Sequence, residues 1–272
     1  MTPLDVYYCG GSQVTGMGLP VTQALPVQVT RALRERWGRK LGHAYMLEYS
    51  GDPRDLERTL RARGLPRPFV LVLVPRNVYV WGVPQLGDLR RYLGGVVAFD
   101  EAVMDEAAGS GRANVTPVAA ATRRKQRARR AWHAARSAMK ASWYLLWLPT
   151  LPWWALRYHL ALRSLRRYAR QRGCRLFVLA TPVPLRDGNS RAPGLHWYID
   201  LLARYLRGQE GGDVVAADLY RRLQAPSAEP LHFYHDRMVH LTRAGTQRAA
   251  AVVLDAIAAG AARCGLPGDA AS

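Results

Sequence analysis

The chain has 272 residues, 49% of them hydrophobic and 22% charged, with a formal net charge of +19 at neutral pH. That apolar content excludes a disordered chain and a collagen-like fibre, and three cysteines exclude a disulfide-built miniprotein. The length suits one large domain or two small ones, with a core able to bury most of its apolar surface.

The N-terminus, MTPLDVYYCGGS, has neither the basic start nor the apolar run of a secretory signal. The mature chain is therefore expected to begin here. Cys9, Cys174 and Cys264 are too scattered for a disulfide framework or a zinc site, so a reducing, cytoplasmic setting is expected. Residues 5–9 (DVYYC) open a series of short apolar runs, rich in β-branched and aromatic residues and bounded by turn signals. The others are 44–49 (AYMLEY), 69–74 (FVLVLV), 176–180 (LFVLA) and 213–217 (DVVAA), and all five read as buried parallel strands. Helical stretches at 22–38, 53–63, 153–172 and 195–208 separate them, and an amphipathic helix over 242–262 closes the chain. Strands alternating with helices predict a three-layer α/β/α sandwich around a five-stranded parallel sheet, joined by right-handed crossovers. Such sheets bind ligands beyond the carboxyl ends of their strands, so the loops there are the place to look for chemistry.

Two of those loops stand out. After the first strand comes Gly10-Gly11-Ser12-Gln13-Val14-Thr15-Gly16-Met17-Gly18-Leu19. Glycines around a serine let the chain turn sharply, project a hydroxyl and bring backbone N–H groups close to a ligand, although a plain glycine turn has the same composition. A phosphate loop would need a following Gly-Lys-Ser/Thr or a Gly-x-Gly-x-x-Gly, and neither is present. Before the last helix stands His235-Asp236-Arg237-Met238-Val239-His240-Leu241-Thr242. A carboxylate and an imidazole this close can meet in one loop, the acid orienting the ring and the ring acting as general base, or both can be solvated surface groups. Thr242 is a fitting N-cap. His196, His232 and His235 lack the spacing of metal ligands and read as surface or pocket-rim residues, and Cys9 reads as a small buried hydrophobe.

The charge is concentrated in one place. The 80 residues between Glu106 and Asp187 contain no Asp or Glu and hold 17 of the 39 Lys and Arg residues, leaving 22 basic against 20 acidic side chains elsewhere. This region also spans the long connection between the third and fourth strands. A basic, Trp-rich helical insertion is assigned to 109–172 within a single domain covering 1–272. It includes the run from Thr122 to Arg130, with Arg129 and Arg130 at its end, and then Trp132, Trp143, Trp147, Trp153 and Trp154. Trp143 and Trp147 are one helical turn apart, and Trp153 and Trp154 stand across the break Pro149-Thr150-Leu151-Pro152. An aromatic tip with basic arms suits a monotopic contact with an anionic membrane, which would place the chain at the inner face. A spanning helix fits poorly, because 142–162 contains two prolines, Arg157 and His159. An amphipathic cap on the core, an oligomer contact and an acidic protein partner remain alternatives. Nucleic acid has no recognised motif in its favour, although arginines among aromatics can bind phosphate and stack bases.

Taken together, the loops resemble the SGNH (GDSL-type) hydrolase family, and the correspondence runs through the chain in order. The family's Gly-Asp-Ser after strand one resembles Gly10-Gly11-Ser12. Its glycine after strand two is matched by Gly51 in Tyr49-Ser50-Gly51-Asp52, and its Gly-x-Asn-Asp after strand three is matched in position by Pro75-Arg76-Asn77-Val78. Its Asp-x-x-His before the last helix resembles Asp236 to His240 and the Leu-Thr-Arg-Ala-Gly that follows.

The resemblance implies a flavodoxin-like fold and acyl transfer from an ester without a cofactor. Ser12 would be the nucleophile, His240 the base and Asp236 its orienting acid. An oxyanion hole would come from the N–H groups of Ser12 and Gly51 and the carboxamide of Asn77. The substrate would be an acylated small molecule, lipid or glycan, with water or a second alcohol as acceptor. Three departures stand beside this. Gly11 replaces the family's aspartate, Pro75 and Val78 replace a glycine and an aspartate, and Asp236 lies four rather than three residues before His240. A Ser–His dyad, or an inactive fold that binds through its basic hairpin, stays open on these residues.

Overall fold

Five strands form one wholly parallel sheet: β1 (Leu4–Gly10), β2 (Leu41–Glu48), β3 (Phe69–Leu73), β4 (Cys174–Ala180) and β5 (Val214–Ala217). Their order is β2-β1-β3-β4-β5, the flavodoxin-like arrangement. This computed structural model describes residues 2–16, 19–48, 52–75, 142, 151–184, 195–223 and 241–266; of Ser12, Gln13, Glu48, Leu151, Trp154 and 195–198 it describes the backbone alone.

Every residue of β1 and β3 is buried, as the unbroken apolar runs require when helices cover both faces of a sheet. Alternate side chains divide the core into two layers. Val6, Tyr8, Val70, Val72 and Val178 face one way, into a layer completed by α2 (Leu25–Trp37) through Val29 and Leu33, and by a C-terminal helix through Val253 and Ile257. Tyr7, Leu71, Leu73, Phe177 and Leu179 face the other way, with Leu56 and Leu60 of α3 (Pro53–Arg63). That layer also takes Tyr158, Leu162 and Leu165 of α4 (Leu151–Gln171), and Ile199, Leu202 and Leu206 of α5 (Leu195–Arg207). Two four-residue helices, α1 (Ser12–Thr15) and α6 (Leu219–Arg222), follow β1 and β5, and α7 (Arg243–Cys264) is the C-terminal helix.

The element ends have local causes. α2 starts three residues later than its pattern predicts, because a 3-10 turn occupies Val21–Gln23 and Pro26 lies in the first helical turn. α4 starts two residues earlier, since Pro152 falls in its first turn, where a missing N–H leaves no hydrogen bond unmade. β2 begins at Leu41 because the buried Asp5 of β1 accepts the His43 amide at 2.8 Å, extending the pairing into polar residues. A Cβ at Gly42 would stand 2.3 Å from that carboxylate. Asp52 caps α3 by accepting the Arg54 amide at 3.0 Å, and Thr242 caps α7 by accepting the Gly245 amide at 3.2 Å.

The last third of the basic segment is thus the crossover helix itself. Tyr158, Ala161, Leu162, Leu165, Tyr168 and Ala169 recur at helical spacing as its buried stripe. His159 Nδ1 lies 2.9 Å from the Tyr205 hydroxyl, fastening α4 to α5, and the Arg61 guanidinium of α3 sits 4.2 Å above the Tyr168 ring. Residues 109–141 and 143–150, with Arg129, Arg130, Trp143 and Trp147, lie outside the described residues.

Asp213, just before β5, ties α4 to the sheet. It accepts both Nε (2.5 Å) and Nη2 of Arg170, and Arg166 stands 3.9 Å away. The hydrogen bond from Arg170 holds its carboxyl below the ordinary value of 3.8, against the opposing effect of burial. A depressed carboxylate contributes stability above its unfolded pKa and loses it as pH falls through the folded value. Asp213→Asn should therefore lower stability at pH 7 by up to about 1 kcal/mol, the pair being partly exposed. The gap between the two melting temperatures should close as pH falls through the folded-state value, and a gap that stays constant across the acid range would contradict this assignment.

Candidate active site

The switch in strand order falls at β1, whose two neighbours, β2 and β3, are reached by crossovers in opposite directions. In open parallel sheets this is where a crevice forms at the carboxyl edge. β1 ends there in Gly10-Gly11, and the chain turns directly into α1 with Ser12 as its first residue. The Gly11 carbonyl accepts the amides of Val14 (2.8 Å) and Thr15 (3.0 Å), which closes the turn. Val14 is fully buried and plugs α1 into the core. At the far end Gly16 has φ +67°, a left-handed conformation that suits glycine, and its absent Cβ would lie 2.9 Å from that of Ala24. As first residue of the helix, Ser12 has an amide without an intrahelical partner. Its backbone is therefore held rigidly at the switch point; its side chain is not among those described.

The approach to this turn is tight. A Cβ at Gly10 would stand 2.4 Å from Val14 Cγ2 and 3.0 Å from the Val74 carbonyl oxygen. Gly10→Ala should push α1 off the sheet, destabilising the fold by about 1–3 kcal/mol, as overpacking does. Any Ser12-dependent activity should fall with it at temperatures where the variant is still folded. An alanine variant with wild-type melting temperature would show that the turn yields.

Some residues that neighbour the other expected site residues in sequence are described. Gly10 is in register with Glu48, the last residue of β2, and α3 opens with its cap Asp52, which follows Gly51 in sequence. The Val74 amide donates to the Cys9 carbonyl at 2.8 Å, and Pro75 beyond it, two residues before Asn77 in sequence, is buried. α7 runs against the strands. Its Gly260 packs on Leu176 and Val215 near the strand starts, and Arg263 Nη2 reaches the Val214 carbonyl at 3.2 Å. Its N-terminus, with the buried Leu241, therefore lies toward the carboxyl edge, and His240 immediately precedes it. Gly51, Asn77, Asp236 and His240 themselves, with His232 and His235, lie outside the described residues.

Sequence reasoning missed one feature of this edge. Arg157 of α4 reaches the α3 cap, Nη2 to Asp52 Oδ2 at 3.9 Å, one residue from Gly51. The two are far apart in sequence, and no local pattern links them. Cys9, next to the turn, is fully buried, and burial pushes its thiol well above the ordinary range. It stays protonated and is a packing residue.

Several solved structures match nearly the whole chain, two of them as follows. One, from Parabacteroides merdae ATCC 43184 and called a GDSL-like lipase, has a TM-score of 0.54 at 15% identity, covering 94% of this chain and 95% of its own. The other, TesA, has a TM-score of 0.50 at 13% identity, covering 94% of this chain and 99% of its own. The fold is that of the SGNH hydrolases. No family model matches the sequence, and no curated protein does. The SGNH likeness is therefore one of architecture, and it agrees with the five-stranded parallel sheet and the placement of Ser12 after β1.

Proposed function

We propose that the chain is a serine esterase or acyltransferase of SGNH type. The observation that carries this reading is the mounting of Ser12, as the first residue of a short helix springing from the switch strand of a 2-1-3-4-5 sheet. Asp52, Pro75 and Leu241, neighbours of the other three blocks, lie toward the same edge, which supports it further.

In this reading Ser12 Oγ attacks the ester carbonyl while His240 takes the hydroxyl proton. The carbonyl π electrons move onto oxygen, and that oxyanion is held by the amides of Ser12 and Gly51 and the carboxamide of Asn77. Collapse expels the alcohol, which receives the proton from His240, and leaves an acyl ester on Ser12. Water or a second alcohol then repeats the sequence in reverse and frees the acid or a new ester. Asp236 orients His240 and stabilises its charged form. The four-residue interval before His240 is spanned by a loop in this reading, so no helical register constrains their approach.

A fluorophosphonate probe tests the proposal without knowledge of the substrate. Its phosphorus should be attacked by Ser12, with fluoride leaving, and intact-mass and peptide analysis should place one adduct on the peptide containing Ser12. An unlabelled, folded wild-type protein would overturn the serine mechanism.

A further inference from the structure

The outward face of α4 changes character along its length. Trp153, Leu156 and Leu160 are 65%, 50% and 54% exposed. Helical geometry puts them within about 60° of arc and about 10 Å of axis. Such a cluster of large apolar side chains in water is characteristic of a contact surface. Further along, Arg163, Arg166, Arg167, Arg170 and Gln171 line a cavity of about 320 Å³. Among the described residues these four guanidiniums share one carboxylate, that of Asp213, which pairs with Arg170 and Arg166. Arg163 and Arg167 have no acidic partner among them. Burial, and after it the neighbouring Arg170, make Arg166 a weaker base than usual.

We propose that this face of α4 docks on an anionic phospholipid bilayer, with Trp153, Leu156 and Leu160 in the headgroup–acyl boundary and lipid phosphate in the arginine cavity. Each half of the face constrains the partner. A second copy of the chain would cover the apolar half but would bring another arginine cluster up to the first. A nucleic acid would neutralise the arginines but leave Leu156 and Leu160 in water. An anionic bilayer satisfies both, because an interfacial helix buries an apolar face while basic residues meet the headgroups. No helix among the described residues is long and apolar enough to cross a membrane.

Docking also sets an orientation. The apolar half of α4 lies at the end that Arg157 ties to Asp52, hence at the carboxyl edge beside Ser12. That edge would face the lipid, and the acyl group would come from an ester held in the bilayer. This consequence for the substrate rests on the ester reading, whereas the docking does not.

The test is sedimentation of the full chain with vesicles of phosphatidylcholine alone and of phosphatidylcholine with about 30 mol% phosphatidylglycerol, which gives an anionic surface. Wild type should bind the anionic vesicles at least about tenfold more tightly, and binding should weaken as salt rises. Arg163→Gln with Arg167→Gln should weaken it about thirtyfold, and Leu156→Ser with Leu160→Ser at least about tenfold. Equal binding to both vesicles would overturn the proposal, since that comparison needs no variant. So would unchanged binding by either folded double variant. Ser12→Ala should bind vesicles like wild type, so failure of the ester chemistry and failure of docking give different results.

Discussion

Ser12→Ala should abolish turnover of a short-chain p-nitrophenyl ester, lowering kcat by about 10⁴-fold or more, while the melting temperature stays put. The change removes the attacking oxygen and keeps the backbone amide. The turn that carries Ser12 is closed by the Gly11 carbonyl and anchored by the fully buried Val14, and the substitution leaves both in place. The loss should therefore appear in kcat and kcat/KM alike, with fluorophosphonate labelling lost in parallel. Equal rates in the two proteins would mean that the serine is a bystander, whatever the fold resembles.

Asn77→Ala should cost about 10²–10³-fold in kcat, or about 3–4 kcal/mol of transition-state stabilisation, with little change in KM. A carboxamide aimed at a developing oxyanion strengthens its bond only as charge builds up, so its removal leaves ground-state binding nearly untouched. Asn77→Asp should be at least as damaging, because it replaces a donor with a negative charge. A residue that merely shaped the turn after β3 would behave differently: alanine and aspartate variants would melt early and would alter KM as much as kcat. Kinetics on both variants, with melting curves alongside, separates the two roles.

The sheet was legible because its signal is local. Runs such as FVLVL at Phe69–Leu73 are buried on both faces and need no alternation to be recognised as strands. What escaped was decided by distant partners or by very short elements. The early start of β2 depends on Asp5 of β1 reaching the His43 amide across the sheet. α1, at four residues, is too short to show any helical period, and its loop reads as glycines around a serine. The candidate site reads in the sequence as four blocks, and of these only the first, at Gly10-Gly11-Ser12, falls within the described backbone. The Arg157–Asp52 pair next to the second block is fixed by a tertiary contact that leaves no trace in local composition.

The interior position of β1 bears on how the protein fails when heated. β1 is bonded along both sides, to β2 and to β3, and all seven of its residues are buried. Segments enclosed in this way exchange their amide protons only when the whole domain opens. The mount of Ser12 accordingly has no private route to loosening, and thermal inactivation should follow global unfolding with no earlier, local step.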